Sequence, residues 1–177
     1  MKIIVRIIQI VAGLVVLAVL GAYLLPGTVT VVRSVVIPAS ATEIFPYVNS
    51  LQRTEEWSPW LALDPDVGLV YSGPEQGVGN RLEWTSDHES VGSGSQEITL
   101  SVENERVETA LDFGSMGTAE AYFDLSETDG RTEVTWGLVS HLGYNPIARY
   151  MGLMLDSWVG ADYERGLANL NSVVTRE

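Results

Sequence analysis

Between residues 67 and 139 the chain alternates apolar and polar side chains in short runs, separated by turns that leave room only for reversals. This pattern constrains the fold more than any other feature. Runs at 67–71, 78–85, 94–103, 107–113, 118–125 and 132–139 read as strands, because a period of two sends successive side chains to opposite faces of a sheet. The connections at 86–89, Asn104-Glu105, Gly114-Ser115 and Asp129-Gly130 are too short for a crossover helix, and Asp-Gly is a strong hairpin signal. An antiparallel meander follows. The β-branched run 28–37, closed by Pro38, adds a first strand and brings the sheet to seven.

Alternation also sorts the faces. One carries Val78, Asn80, Leu82 and Trp84; Gln96, Ile98, Leu100 and Val102; Val107, Thr109, Leu111 and Phe113. Ala119, Ala121, Phe123 and Leu125 continue it, with Val134, Trp136 and Leu138 at the end. The other face takes Arg81, Glu83, Glu97, Glu108, Asp112, Glu120, Asp124 and Glu133 and belongs in solvent. No acid, base or histidine stands on the inward side of these strands, so general acid–base chemistry has no carrier there.

The inward face needs a cover, and 144–175 supplies it as one long helix. Asn145 suits the N-cap and Pro146 the first helical position. Ile147, Met151, Met154, Trp158 and Ala161 recur at helical spacing and are expected to face the sheet. After Gly160 the stripe rotates onto Tyr163, Leu167, Leu170 and Val174. Two short helices are expected near residues 40–56, the first capped by Ser40 or Thr42. The corner Trp57-Ser58-Pro59-Trp60 then reads equally as a packing plug or a cavity mouth.

At the other end, residues 7–25 form an apolar run of roughly 19 residues, close to the ~20 that cross a bilayer. Lys2 and Arg6 precede it, which sets the N-terminus in the cytoplasm and the rest outside. The run ends Ala22-Tyr23-Leu24-Leu25-Pro26-Gly27 without a small-x-small site, favouring a retained anchor over a cleaved signal peptide. Residues 1–27 thus read as anchor and linker, and 28–177 as one domain. Net charge is −13 and Lys2 is the only lysine, which argues against nucleic acid and against electrostatic docking on anionic lipid. The absence of cysteine excludes disulfides, thiol catalysis and zinc–thiolate sites. No cofactor or metal motif is found. The glycines of 72–79 precede a strand rather than a helix and do not form a phosphate loop.

Several stretches resemble a known family: Arg33-Ser34-Val35-Val36-Ile37-Pro38-Ala39, Trp57-Ser58-Pro59-Trp60, and Tyr71-Ser72-Gly73-Pro74 with Gly77-Val78-Gly79. Thr132-Glu133-Val134-Thr135-Trp136 and Gly166-Leu167-Ala168-Asn169-Leu170 complete the set. With the element order, they are similar to the SRPBCC superfamily of START-like domains, in its bacterial polyketide cyclase/dehydrase-like branch. The resemblance implies an α+β helix-grip fold, a seven-stranded antiparallel sheet curved around the C-terminal helix, here behind one transmembrane helix. It also implies a hydrophobic or amphipathic ligand, lipid-like or polycyclic, held between helix and sheet. The expected lining is Trp84, Gln96, Leu111, Phe123, Trp136, Met151, Met154 and Trp158, with Asn80 and Thr109 orienting a polar end. Two other functions compete: a cyclase or hydratase using His141, Tyr71, Tyr150 or Asp156 at the rim, and a membrane-tethered protein-interaction module. No catalytic motif of the family can be placed residue by residue.

Overall fold

A computed structural model describes residues 2–61, 63–88 and 90–176. The elements are α1 (Lys2–Ala22), β1 (Thr28–Ile37), α2 (Ala41–Val48), β2 (Gly68–Ser72), β3 (Arg81–Thr85) and β4 (Gly94–Val102). They continue with β5 (Arg106–Asp112), β6 (Thr118–Thr128), β7 (Arg131–His141) and α3 (Pro146–Val174). The seven strands form one sheet in the order β1-β7-β6-β5-β4-β3-β2, antiparallel throughout. The expected meander and long C-terminal helix are both present.

Local chemistry explains the joints. Ser40 and Glu43 form a reciprocal capping box at the start of α2, worth about 1 kcal/mol. Asp129 and Gly130, at φ 52° and 71°, make the two-residue turn whose twist matches the β6–β7 hairpin. Asn145 caps α3 by accepting from the Ile147 and Ala148 amides. Glu89, placed in a turn by the sequence, lies outside the described residues.

Two strand expectations are corrected. β3 begins at Arg81 rather than Val78, because Gly77 and Gly79 adopt φ of 77° and 85° and hold the chain in a turn that leaves Val78 exposed. In β4 a bulge between Ile98 and Leu100 shifts the register against β5. Ile98 is fully buried, whereas Leu100 and Val102 turn outward.

The larger correction concerns α3. Its stripe Ile147, Met151, Met154 and Trp158 is exposed, at 71%, 53%, 49% and 47%, and Ala161 is exposed too. The helix turns its glycines to the protein instead. A Cβ at Gly152 would stand 3.1 Å from Val29 Cγ2, and one at Gly160 would collide with the Arg33 guanidinium. Arg33, on the inner face of β1, explains the choice. It donates to Glu164 Oε1 at 2.8 Å and to Asp156 Oδ1 at 3.0 Å, holding α3 along β1. The second half of α3 does cover the core, with Tyr163, Leu167, Leu170 and Val174 buried as expected.

Candidate functional site

Pairing registers divide the inner face into rows. Nearest the end of the sheet where β1 leaves the linker, Gln96, Leu111, Ala119, Ser140 and Val29 stand side by side. The next row is Ile98, Thr109, Ala121, Leu138 and Val31; beyond it come Val107, Phe123, Trp136 and Arg33. Burial is graded across them. The far and middle rows are closed apart from Arg33, which is half-buried, while Trp84, Gln96, Leu111 and Phe113 at the near end are half-buried, as are Leu69 and Tyr71 on β2. α3 packs chiefly along β1. The outcome is an inner face closed at one end and half-buried at the end nearest α1.

Aromatic side chains form the closed end. Trp136 stacks between Phe123, at 4.9 Å, and Tyr163, at 3.8 Å between ring centroids. Trp57 meets Phe123 and Trp136 edge-on at 5.8 and 5.3 Å and donates its Nε1–H to the Tyr47 carbonyl. Such pairs contribute about 0.5–1.5 kcal/mol each beyond area burial. Trp57 is therefore the plug of the two roles open to that corner, while half-buried Trp60 donates to Asp162 Oδ2.

The residues expected to line the ligand separate into four groups. Trp84, Gln96 and Leu111 stand at the half-buried end of the inner face. Thr109, Phe123 and Trp136 lie deeper as floor and back wall, and Gln96 Nε2 donates to Thr109 Oγ1 at 3.0 Å. Asn80 is buried but fully engaged, accepting from the Leu51 amide and donating to the Pro74 carbonyl, both at 2.7 Å. It rivets two loops together. Met151, Met154 and Trp158 stand on the outward side of α3.

Sequence reasoning missed Leu69 and Phe113 as lining, although alternation within their own strands marks them. It also missed Arg33, whose inward position is concealed by β-branched residues on both faces of β1. The Trp136 Nε1–H is buried without a partner among the described residues.

Four groups were candidate proton carriers. His141 lies on the outer face with Nδ1 3.3 Å from Thr28 Oγ1, and Tyr150 donates to the Ala18 carbonyl. Asp156 is held below the ordinary carboxylate range, chiefly by its hydrogen bond from Arg33. Tyr71 alone is on the inner face. Burial first, and then its 2.8 Å hydrogen bond to Glu55, push its pKa well above the usual phenol value, so it stays protonated at neutral pH. Among the described residues no cluster of three or more acids and histidines is placed to hold a metal ion. A hollow of about 280 Å³ lies on the outer face, beside Arg81, Glu97, Asp112, Glu120 and His141.

α1 is 21 residues long, with a mean hydropathy of 2.8, and is long and apolar enough to cross a membrane; signal sequences share those properties. Its described side chains are almost all exposed.

Comparison with known folds agrees with the geometry. A solution structure from Thermobifida fusca superposes with a TM-score of 0.63 at 17% identity, over 83% of this chain and 93% of that one. Protein Ms6760 from Mycobacterium smegmatis gives 0.57 at 16% identity, over 84% and 92%. The di-domain ARO/CYC BexL from the BE-7585A biosynthetic pathway gives 0.60 at 14% identity; 82% of this chain matches half of that one. At such identities the likeness establishes the fold alone. No curated protein matches the sequence. Residues 28–175 match the family model described as "Polyketide cyclase / dehydrase and lipid transport", and the chain belongs to that family.

Proposed function

We propose that residues 28–177 form a domain that holds a hydrophobic or amphipathic small molecule, lipid-like or polycyclic, at the half-buried end of the inner face, between α3 and the sheet. The observation that carries this reading is the graded burial of an inner face whose one charged residue in the three strand rows, Arg33, is paired with Asp156 and Glu164 on α3. Trp84, Gln96, Leu111 and Phe113 are half-buried at one end, whereas the rows behind them are closed by packed aromatics. An apolar wall with few polar groups is the usual construction of a small-molecule site. Thr109, Phe123 and Trp136 form its floor, and the buried Trp136 Nε1–H, without a partner among the described residues, is a donor that an acceptor on the ligand would satisfy. In the same proposal α1 spans the membrane with its N-terminus in the cytoplasm and the domain outside.

Residues 28–177 are to be purified without detergent, extracted and analysed by mass spectrometry. Burying apolar surface contributes about 25 cal/mol per Å² before binding costs, so a bound tail is expected to survive purification in stoichiometric amount. A Leu111→Trp variant, which fills the half-buried end, is expected to lose it. Retention of the same molecule by that variant would place the site elsewhere.

One observation favours a second reading, a cyclase- or hydratase-type enzyme. Tyr71 places a half-buried phenol on the inner face, its hydroxyl donating to Glu55 at 2.8 Å. Tyr71→Phe would abolish turnover of a cavity-bound carbonyl compound if that phenol is the proton donor, and would leave binding intact if the domain only binds.

A further inference from the structure

The first half of α3 packs Leu155 and Val159 against the core and also carries a second apolar ribbon turned away from its own protein. At about 100° per residue, Ile147, Tyr150, Met151, Met154 and Trp158 fall within an arc of roughly 100°, opposite the face that packs on β1. Polar residues take over beyond it, where Arg165 and Ser172 occupy the same side of the helix. The ribbon is about 17 Å long at 1.5 Å per residue.

Its start is tied to α1. The Arg149 guanidinium donates to the carbonyls of Leu25 at 3.0 Å, Tyr23 at 3.4 Å and Ala22 at 3.5 Å, capping the end of α1. The Tyr150 hydroxyl donates to the Ala18 carbonyl at 2.8 Å. Tyr150 therefore sits at the level of the last turn of α1. If α1 crosses the bilayer, that level is the boundary between headgroups and acyl chains. Tyr23 and Tyr144 flank Arg149 there, with their rings 5.4 and 5.9 Å from its guanidinium carbon. Tyrosine and tryptophan with a neighbouring arginine is the side-chain mixture that such a boundary favours.

We infer that the ribbon Ile147, Tyr150, Met151, Met154 and Trp158 is a bilayer-docking surface that lays the domain on the membrane along the first half of α3. The inference rests on the proposal that α1 spans the membrane. Docking is apolar and aromatic in character. The chain carries net charge −13 and the ribbon itself has no basic residue, so anionic lipid is not required. The surface is continuous with the exposed apolar surface of α1, and so meets the lipid that surrounds α1 without any second protein.

The absence of native cysteine makes the test direct. Leu14→Cys, Met151→Cys, Met154→Cys and Ser172→Cys variants of the full chain are nitroxide-labelled and placed one copy per disc in phosphatidylcholine nanodiscs. Collision with oxygen and with a water-soluble nickel chelate then reports depth. Labels at 14, 151 and 154 are expected to meet oxygen and exclude nickel, while 172 shows the reverse, with no change when anionic lipid is added. Labels at 151 and 154 as open to nickel as 172, with 14 still in lipid, would overturn the docking inference and leave the anchor standing. Nickel access at 14 would remove both. Nickel exclusion at 154 that appears only in discs holding two copies, with spin–spin coupling between them, would assign the ribbon to a second copy and overturn the inference.

Discussion

The two halves of α3 share a helix and an apolar period but not an environment. From Tyr163 onward the apolar residues point at the sheet and close the core; before Gly160 only Leu155 and Val159 pack against it, while Ile147, Met151, Met154 and Trp158 point away. The difference teaches that a hydrophobic stripe fixes a face without naming what that face meets. In the second half Trp136 offers an aromatic surface for Tyr163 to stack on. In the first half β1 offers Arg33, and Asp156 and Glu164 answer it while Gly160 lets the helix approach.

The largest effect should separate the halves most plainly. Leu170 is fully buried, and Leu170→Ala should lower unfolding stability by about 2–5 kcal/mol in a denaturant titration. Met154→Ala, measured alike in detergent, should stay within about 0.5 kcal/mol. Equal losses would mean that the first half is packed in a way the structure does not show.

Gly166→Ala sharpens the contrast at smaller scale. Its Cβ would stand 2.6 Å from Trp136 Cζ3 and 3.2 Å from Pro59 Cδ. Overpacking costs about 1–3 kcal/mol, and the helix-propensity gain of up to about 1 kcal/mol only partly offsets it. A net loss is expected, and a net gain would show that the aromatic stack yields easily.

The smallest effect is a pH dependence confined to the first half. Arg33 depresses the Asp156 pKa, so the folded state binds this proton less readily than the unfolded chain. The contribution is present above about pH 4, the unperturbed range, and is lost as pH falls through the depressed value. Asp156→Asn should therefore lower the neutral plateau slightly while leaving the low-pH end unchanged, which flattens the acid limb of the stability profile. An unchanged acid limb would remove Asp156 from the tether.

Much of this architecture is legible in the residues. Alternation gives the strands, Asp129-Gly130 the last hairpin, and Asn145-Pro146 the start of α3. The bulge after Ile98 is not legible, because Ile98-Thr99-Leu100-Ser101-Val102 alternates without a break and nothing local marks the extra residue. The side of α3 that meets the sheet was half legible. Gly152, Gly160 and Gly166 mark the face of close approach, but Met151, Met154 and Trp158 give the louder apolar signal and point elsewhere. Asn80 shows the same limit for polar groups, since its partners Leu51 and Pro74 are remote in the chain or hidden in a loop. Of the expected lining, the strand residues Trp84, Gln96 and Leu111 come together and the helix residues do not.

The tryptophans provide the most direct test of where a ligand goes, because they report from both sides of α3. In residues 28–177, indole N–H resonances are to be followed by NMR while dodecanoic acid is added below its micelle concentration. The account predicts saturable shifts for Trp84, at the half-buried end, and Trp136, whose Nε1–H lacks a partner among the described residues, with Trp158 unmoved. Saturable shifts at Trp158 alone, with Trp84 and Trp136 unchanged, would contradict it and move the site from the inner face to the outside of the helix.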